Sequence, residues 1–212
     1  MGRTLRADAR RNQEQLLVAA RDVFTERGAD APLEEIARRA GLGIGTLYRR
    51  FPNRQALLRA VVLDALAHSG AAAATALEES PDAFGALARY MHAALDIKVA
   101  AVIPALMDQV DLEDPEIRTA RDQASAPAVQ IVDAAHAEGS LRPEVTFGDV
   151  GVMIVRLANP LPGSFPADLG RRLAHRHLEL LLAGLRVGSR LENGLDEAGL
   201  TLEDLQVLGR TR

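Results

Sequence analysis

Thr46, Tyr48, Arg49 and Arg50 stand close together in the run Ile44 to Phe51, IGTLYRRF. A guanidinium can make two parallel hydrogen bonds to the O6 and N7 edge of guanine, and a threonine offers a methyl and a hydroxyl to a base. A tyrosine hydroxyl and a second arginine suit phosphate oxygens, which fix register without reading sequence. This is chemistry for duplex DNA, provided one helix presents the set together. At about 100° per residue, Ile44, Leu47 and Phe51 fall within roughly 60° of one another and form a buried stripe. Gly45 and Arg49 then point almost directly away, Thr46 lies close by, and Tyr48 and Arg50 sit on the flanks. Arg49 and Thr46 are therefore expected at base edges, Tyr48 and Arg50 at phosphates, and Gly45 where the helix approaches closely. Alone, such a helix reads as an ordinary solvated surface. Its upstream neighbour and the charge distribution overturn that reading.

The positioning elements are legible around it. Leu33, Ile36, Ala37 and Ala40 recur at helical spacing, with Glu34, Glu35, Arg38 and Arg39 on the other face. Gly41 supplies the C-terminal stop, because glycine accepts positive φ without strain. Leu42 turns back toward the core. Two short helices joined by a tight turn make a helix-turn-helix, whose second helix enters the major groove. Gly43 at the start of that helix, and Asn53 and Arg54 just beyond it, complete the expected DNA-contact set.

At these residues the chain resembles the TetR family of bacterial regulators. The resemblance rests on GLGIGTLYRRFPNRQALLRAVV and on the preceding NQEQLLVAARDVFTER followed by Gly28. It is dense over residues 10–63 and architectural beyond residue 65. It implies an N-terminal three-helix DNA-binding domain, a connecting helix, and an all-helical C-terminal domain that dimerises and binds a small molecule. Two positions depart from the family pattern. Pro32 stands where a threonine cap is frequent, with Asp30 as a possible substitute, and Gly43 stands where serine is frequent. Glycine is a weaker cap than serine.

Charge divides the chain in the same place. Residues 1–60 carry a balance of +5 and residues 61–212 a balance of −9, within a net −4 for the 212 residues. A basic first quarter on an acidic chain is the footprint of a local DNA-binding head. Residues 1–11, with Arg3, Arg6, Arg10 and Arg11, read as a flexible basic arm rather than a signal peptide.

Hydrophobic content of 48% is ample for a core, and zero Cys excludes disulfides and thiolate metal sites. No run of about 18 uninterrupted apolar residues suggests a membrane span, so the expected location is the cytoplasm. The expected fold is all-α. Residues 12–52 form the DNA-binding domain, and 53–70 a connecting helix ending at Gly70. An effector-binding and dimerisation domain spans 71–187, and a tail 188–212. Further helices are expected over 82–98, 100–111, 115–124, 127–138, 147–158 and 168–187, with Thr146 and Asp149 as a capping pair.

The helices 147–158 and 168–187 are apolar on most sides, as buried or shared helices are. The resemblance implies that the last two long helices pair the protomers, so a homodimer through these segments is expected. Effector contacts are expected from Phe84, Leu87, Tyr90, Met91, Leu95, Met107, Phe147, Met153 and Arg156, with hydrogen bonds from His92, Gln109, His136 and Asn159. With 3% aromatic residues, the effector is left open as an aliphatic, flexible or metabolite ligand.

Enzyme readings find little. His175 and His177, two apart on a helix, face about 200° apart and cannot share a metal. There is no nucleophile motif and no phosphate-binding glycine loop. Asp108, Asp111, Glu113, Asp114 and Glu116 read as a solvated acidic loop. No catalytic residue, metal or cofactor is expected. The sequence points to a ligand-responsive repressor acting as a homodimer on a palindromic operator. The alternatives are an activator or effector-independent DNA-binding protein and, more remotely, a small-molecule carrier or enzyme.

Overall fold

The computed structural model describes residues 2–106, 108–159 and 167–188, with the side chains of 2–9, 99, 100 and 167 left aside. Among the described residues every regular element longer than a single bridge is a helix. The helices are α1 (Gly2–Arg27), α2 (Leu33–Arg39), α3 (Ile44–Arg50), α4 (Arg54–Glu79), α5 (Ala83–Ile97), α6 (Val99–Leu106), α7 (Pro115–Ala137), α8 (Phe147–Ala158) and α9 (Ala167–Leu185). A single bridge between Leu141 and Arg186 ties the α7–α8 connection to the end of α9.

The first helix corrects one expectation. It starts at Gly2, so residues 2–11 are helix and not an irregular arm. Arginine, alanine and leucine are strong helix formers. No glycine or proline interrupts them before Gly28, and Arg10 lies 3.6 Å from Glu14 one turn on. Leu16, Ala20, Val23 and Phe24 line the buried side. Gly28, at φ 79°, ends the helix.

Pro32 occupies the N-cap of α2 without a side-chain cap. Asp30 does not substitute, because its carboxylate accepts from Gln109 Nε2 at 2.7 Å. The C-terminus of α2 closes as expected. Gly41 has φ 69°, Leu42 N donates to Ala37 O and Gly41 N to Arg38 O, the paired bonds of a Schellman motif. Asn53 caps α4 through Oδ1, which accepts from Ala56 N at 2.8 Å.

α4 runs past Gly70 to Glu79. Gly70 is therefore not a stop. A Cβ there would lie 3.0 Å from Ala124 Cα, so the missing side chain lets α4 and α7 cross closely. By length and composition α4 is apolar enough to cross a membrane. It packs against α1, α5, α6 and α7, which makes it the central helix of the core.

α7 is one helix where two were expected, with Pro127 inside it. Proline forfeits one backbone bond, but Ala124, Ala128, Ile131 and Val132 are buried around it, and packing overrides the break. Asp114 caps this helix by accepting from Glu116 N and Ile117 N. Thr146 and Asp149 form the expected reciprocal capping box on α8.

Two buried clusters result. One joins α1–α3 to the first half of α4 and reaches Val102, Leu106, Val110 and Ile117. The other joins the rest of α4 to α5, α7, α8 and α9. The head core therefore crosses the boundary expected at residue 71.

Candidate nucleic-acid interface

The α2–α3 pair is built as the sequence requires. Leu47 is fully buried, Phe51 is buried, and Ile44 packs against the same cluster. Those anchors rotate the opposite face of α3 to the surface. Tyr48 is 47% exposed, and Gly43, Gly45, Arg49 and Arg50 are exposed too, with Thr46 partly so. A Cβ added at Gly43 or Gly45 would meet nothing within 4 Å. The outward face of α3 is thus unobstructed.

The arginines around it divide by partner. Arg39 makes two 2.8 Å hydrogen bonds to Glu26, and Arg27 lies 2.6 Å from Glu35. The Arg39 hydrogen bonds hold the Glu26 carboxyl below its ordinary value. Arg49 and Arg50 meet neutral oxygens instead. Arg49 Nη2 donates to Thr46 Oγ1 at 3.1 Å. Arg50 Nε donates to Gln13 Oε1 at 2.8 Å, and Nη2 donates to the same oxygen. Carboxylates thus offset positive charge behind α3 and leave it on α3, where phosphates can take it up.

Gln13 went unnoticed in the sequence. It is a polar residue on α1, and only the assembly of α1, α2 and α3 around one core brings it to Arg50. Arg54 departs from expectation. Its Nη1 donates to Ala29 O at 2.6 Å and Ala31 O at 2.8 Å, so it ties the α1–α2 loop to α4 instead of standing free for a phosphate. Asn53 is exposed but committed through Oδ1 to its cap.

The expected effector residues are partly assembled. Phe84, Leu87, Tyr90, Met91 and Leu95 all lie on the buried side of α5, with Phe147 and Met153 packed against the same cluster. Tyr90 Oη lies 3.3 Å from Ser69 Oγ, the polar residue buried in that core, and burial pushes the phenol above its ordinary value. Arg156 is exposed and does not join this group. Met107 lies outside the described residues. The polar candidates scatter to structural partners. Gln109 donates to Asp30, His136 bonds the Arg142 carbonyl, Asn159 donates to Val155 O, and His92 faces α9. A cavity of about 250 Å³ lies elsewhere, lined by Gln55, Ala56, Arg59, Val110, Asp111, Asp114 and Ile117. The acidic loop beside it is more than solvated, since Asp114 and Glu116 both hold Arg59.

Fold and site together define a helix-turn-helix DNA-binding protein with a helical body. Comparison with known proteins agrees. Residues 16–61 match the family described as "Bacterial regulatory proteins, tetR family". The HTH-type transcriptional regulator TtgW of Pseudomonas putida is 36% identical over 63 residues, which cover 29% of this chain and 47% of that protein, so the match spans about half of that relative. The crystal structure of the TetR transcription regulatory protein from Mycobacterium vanbaalenii is similar at 33% identity and a TM-score of 0.60, covering 86% of this chain and 99% of that one. The TetR-like regulator LfrR from Mycobacterium smegmatis, solved in complex with proflavine, shares the fold at 24% identity and a TM-score of 0.60, covering 81% and 95%. The chain belongs to the TetR family and is a DNA-binding transcriptional regulator. The proteins of this family are regulators, not enzymes.

Proposed function

We propose that this regulator is a ligand-responsive repressor that binds a palindromic operator as a homodimer in the cytoplasm. The observation that carries the reading is the outward face of α3. Arg49 and Thr46 lie there on an unobstructed surface, with Tyr48 and Arg50 beside them and Gln13 setting the direction of Arg50. Arg49 and Thr46 read base edges. Tyr48 and Arg50 hold phosphates, with Asn53 at the edge of the site.

One such helix spans few base pairs, whereas a two-fold dimer reads two half-sites about one turn apart. The surface of α9 supports pairing. Leu178, Leu182 and Leu185 turn inward, as do Val150 and Ile154 of α8, so these belong to the core. Leu180 at 63% exposure and Leu181 at 36% face outward, with Val187 beyond the helix end. These exposed apolar side chains, near the end of α9 and just past it, support a contact surface there.

The effector reading is supported by the apolar side of α5 against α4, which leads from the body to the head. A proflavine complex in a fold relative fits the same reading. A ligand that prefers one setting of α4 shifts the spacing of the heads. About 2.7 kcal/mol of coupling weakens DNA binding a hundredfold.

The test is fluorescence anisotropy on operator and scrambled duplexes. Arg49→Ala is expected to cost roughly 1–3 kcal/mol on the operator and little on scrambled DNA. Equal losses on both would remove Arg49 from base reading.

A further inference from the structure

Four titratable side chains form an unbroken line between α5 and α9, in the order Asp96, His175, His92, Glu179. His175 Nε2 lies 3.1 Å from Asp96 Oδ1, the two Nδ1 atoms lie 2.7 Å apart, and His92 Nε2 lies 2.7 Å from Glu179 Oε1. The ring planes agree within 10° and the centroids are 5.0 Å apart. With the Nδ1 atoms 2.7 Å apart, that centroid distance requires the Nδ1–Nδ1 line to run along a radius of each ring. The imidazoles therefore meet edge to edge in one plane, the geometry of an N–H···N hydrogen bond, and not face to face. A metal ion does not fit between them, because each zinc–nitrogen bond alone needs about 2.0–2.1 Å.

The protons can be counted. Each Nε2 faces a carboxylate acceptor and must carry hydrogen. That uses the one N–H of a neutral ring and leaves a lone pair on Nδ1. Two lone pairs at 2.7 Å repel. A third proton between them turns the repulsion into a charge-assisted hydrogen bond. A fourth would set two N–H groups head on. The arrangement is satisfied only when the pair carries one proton beyond neutrality, a single positive charge held between two carboxylates.

We propose that His92 and His175 share this proton and form a pH-responsive clasp between α5 and α9, closed in the singly charged state and loosened by gain or loss of a proton. Histidine is the side chain that changes charge between about pH 5 and 8. α5 packs on α4, the helix that leads to the DNA-binding head, and α9 carries Leu180 and Leu181. The clasp therefore acts between the apolar core and the surface proposed above for pairing.

Other charged groups surround the pair. On α5, Arg89 lies one turn before His92 and is paired with Glu79 of α4, whose other titratable groups on this half are His68 and Glu78. On α9, Arg171 and Arg172 precede His175 by one turn, and the exposed Arg176 and His177 follow it. α8 brings Asp149, held in its cap, and the exposed Arg156. The last turns of α7 bring Asp133 and His136, which bonds the Arg142 carbonyl, with Glu138 just beyond accepting from Ala83 N. α6 has no titratable side chain. Asp96 and Glu179 are the carboxylates in hydrogen-bond contact with the pair.

The test uses the full chain. Thermal unfolding is followed from about pH 5 to 9 for the wild type and the double variant His92→Gln/His175→Gln. The difference in Tm is expected to pass through a maximum of several degrees and to fall on both sides. In ¹⁵N-labelled wild type, imidazole spectra are expected to show two protonated Nε2 atoms and one strongly deshielded shared proton, lost in either single variant. A Tm difference that is constant with pH, or two neutral rings with bare Nδ1 atoms throughout, overturns the proposal. Glu179→Gln, at an exposed position, keeps the test open should the double variant fail to fold. It removes the charge that holds the proton, so the maximum moves to lower pH; an unmoved curve contradicts the clasp.

Discussion

Lys98 holds Asp22 across the junction of head and body, with Nζ 2.6 Å from Oδ1. Lys98 is the only lysine in the chain and its backbone is left-handed, at φ 58°. The neighbouring Arg21 donates to the Ile97 carbonyl at 3.2 Å and lies 3.6 Å from Asp64 of α4. Two consecutive residues of α1 thus grip the turn between α5 and α6. Both partners of the Lys98 pair are over a third exposed, so its direct worth is about 0–1 kcal/mol. Its use is positional.

Lys98→Gly removes the pair and relieves the left-handed strain. Stability in urea is expected to stay within about 1 kcal/mol of wild type. Amide exchange around Asp22, in the C-terminal part of α1, is expected to quicken, because Lys98 no longer pins it. Unchanged exchange there would deny the grip.

Arg54→Ala leaves the carbonyls of Ala29 and Ala31 without their charged donor. A loss of about 1.5–3 kcal/mol is expected in urea unfolding. The folded protein should keep its preference among DNA sequences. A change in base preference with stability intact would return Arg54 to the DNA surface.

Gln13→Ala frees Arg50 from its holder. Affinity is expected to fall several-fold on all duplexes alike, with the salt dependence unchanged because no charge is lost. Arg50→Ala, by contrast, should reduce the salt slope by about 1. Anisotropy titrations at several salt concentrations separate the two.

The recognition helix was legible because its evidence is local. Ile44, Leu47 and Phe51 fix one face, and the other follows from helical period alone. Gly41 and Asn53 likewise act within a few residues of themselves. What sequence could not show depends on distant partners. Gln13 meets Arg50 and His92 meets His175 only after helices pack. Arg54 reads as a surface cation until the Ala29–Ala31 loop is folded over it. Gly70 and Pro127 look like stops, and both lie inside helices, because a close α4–α7 crossing and buried alanines outweigh local propensity. Arg156 matched the chemistry of an effector site, yet α8 turns it to the surface.

Gly70→Leu tests that crossing. A Cβ there already stands 3.0 Å from the Ala124 backbone, so a larger side chain must push α4 from α7. A loss of about 1–3 kcal/mol is expected, read by thermal or urea unfolding. A neutral or stabilised variant would mean that the helices can separate freely.

Acid should weaken the head through Glu26. Its carboxyl is held below the ordinary value of 4.5, first by the Arg39 hydrogen bonds. The folded state therefore binds its proton less readily than the unfolded chain does. The contribution is full above the ordinary value and fades as pH falls toward the lower folded one. Glu26→Gln should flatten this part of the pH–stability curve, measured by urea midpoints on the acid side. An unchanged curve would show that the pair does not contribute.

The central claim is that α3 reads a palindromic DNA sequence through Arg49. The most direct measurement is a pull-down of genomic fragments with the purified full chain, comparing wild type with Arg49→Ala. Wild type is expected to enrich fragments sharing a short palindrome, and Arg49→Ala to lose them while remaining folded. Equal enrichment by both proteins, or a shared site without two-fold symmetry, would contradict the account.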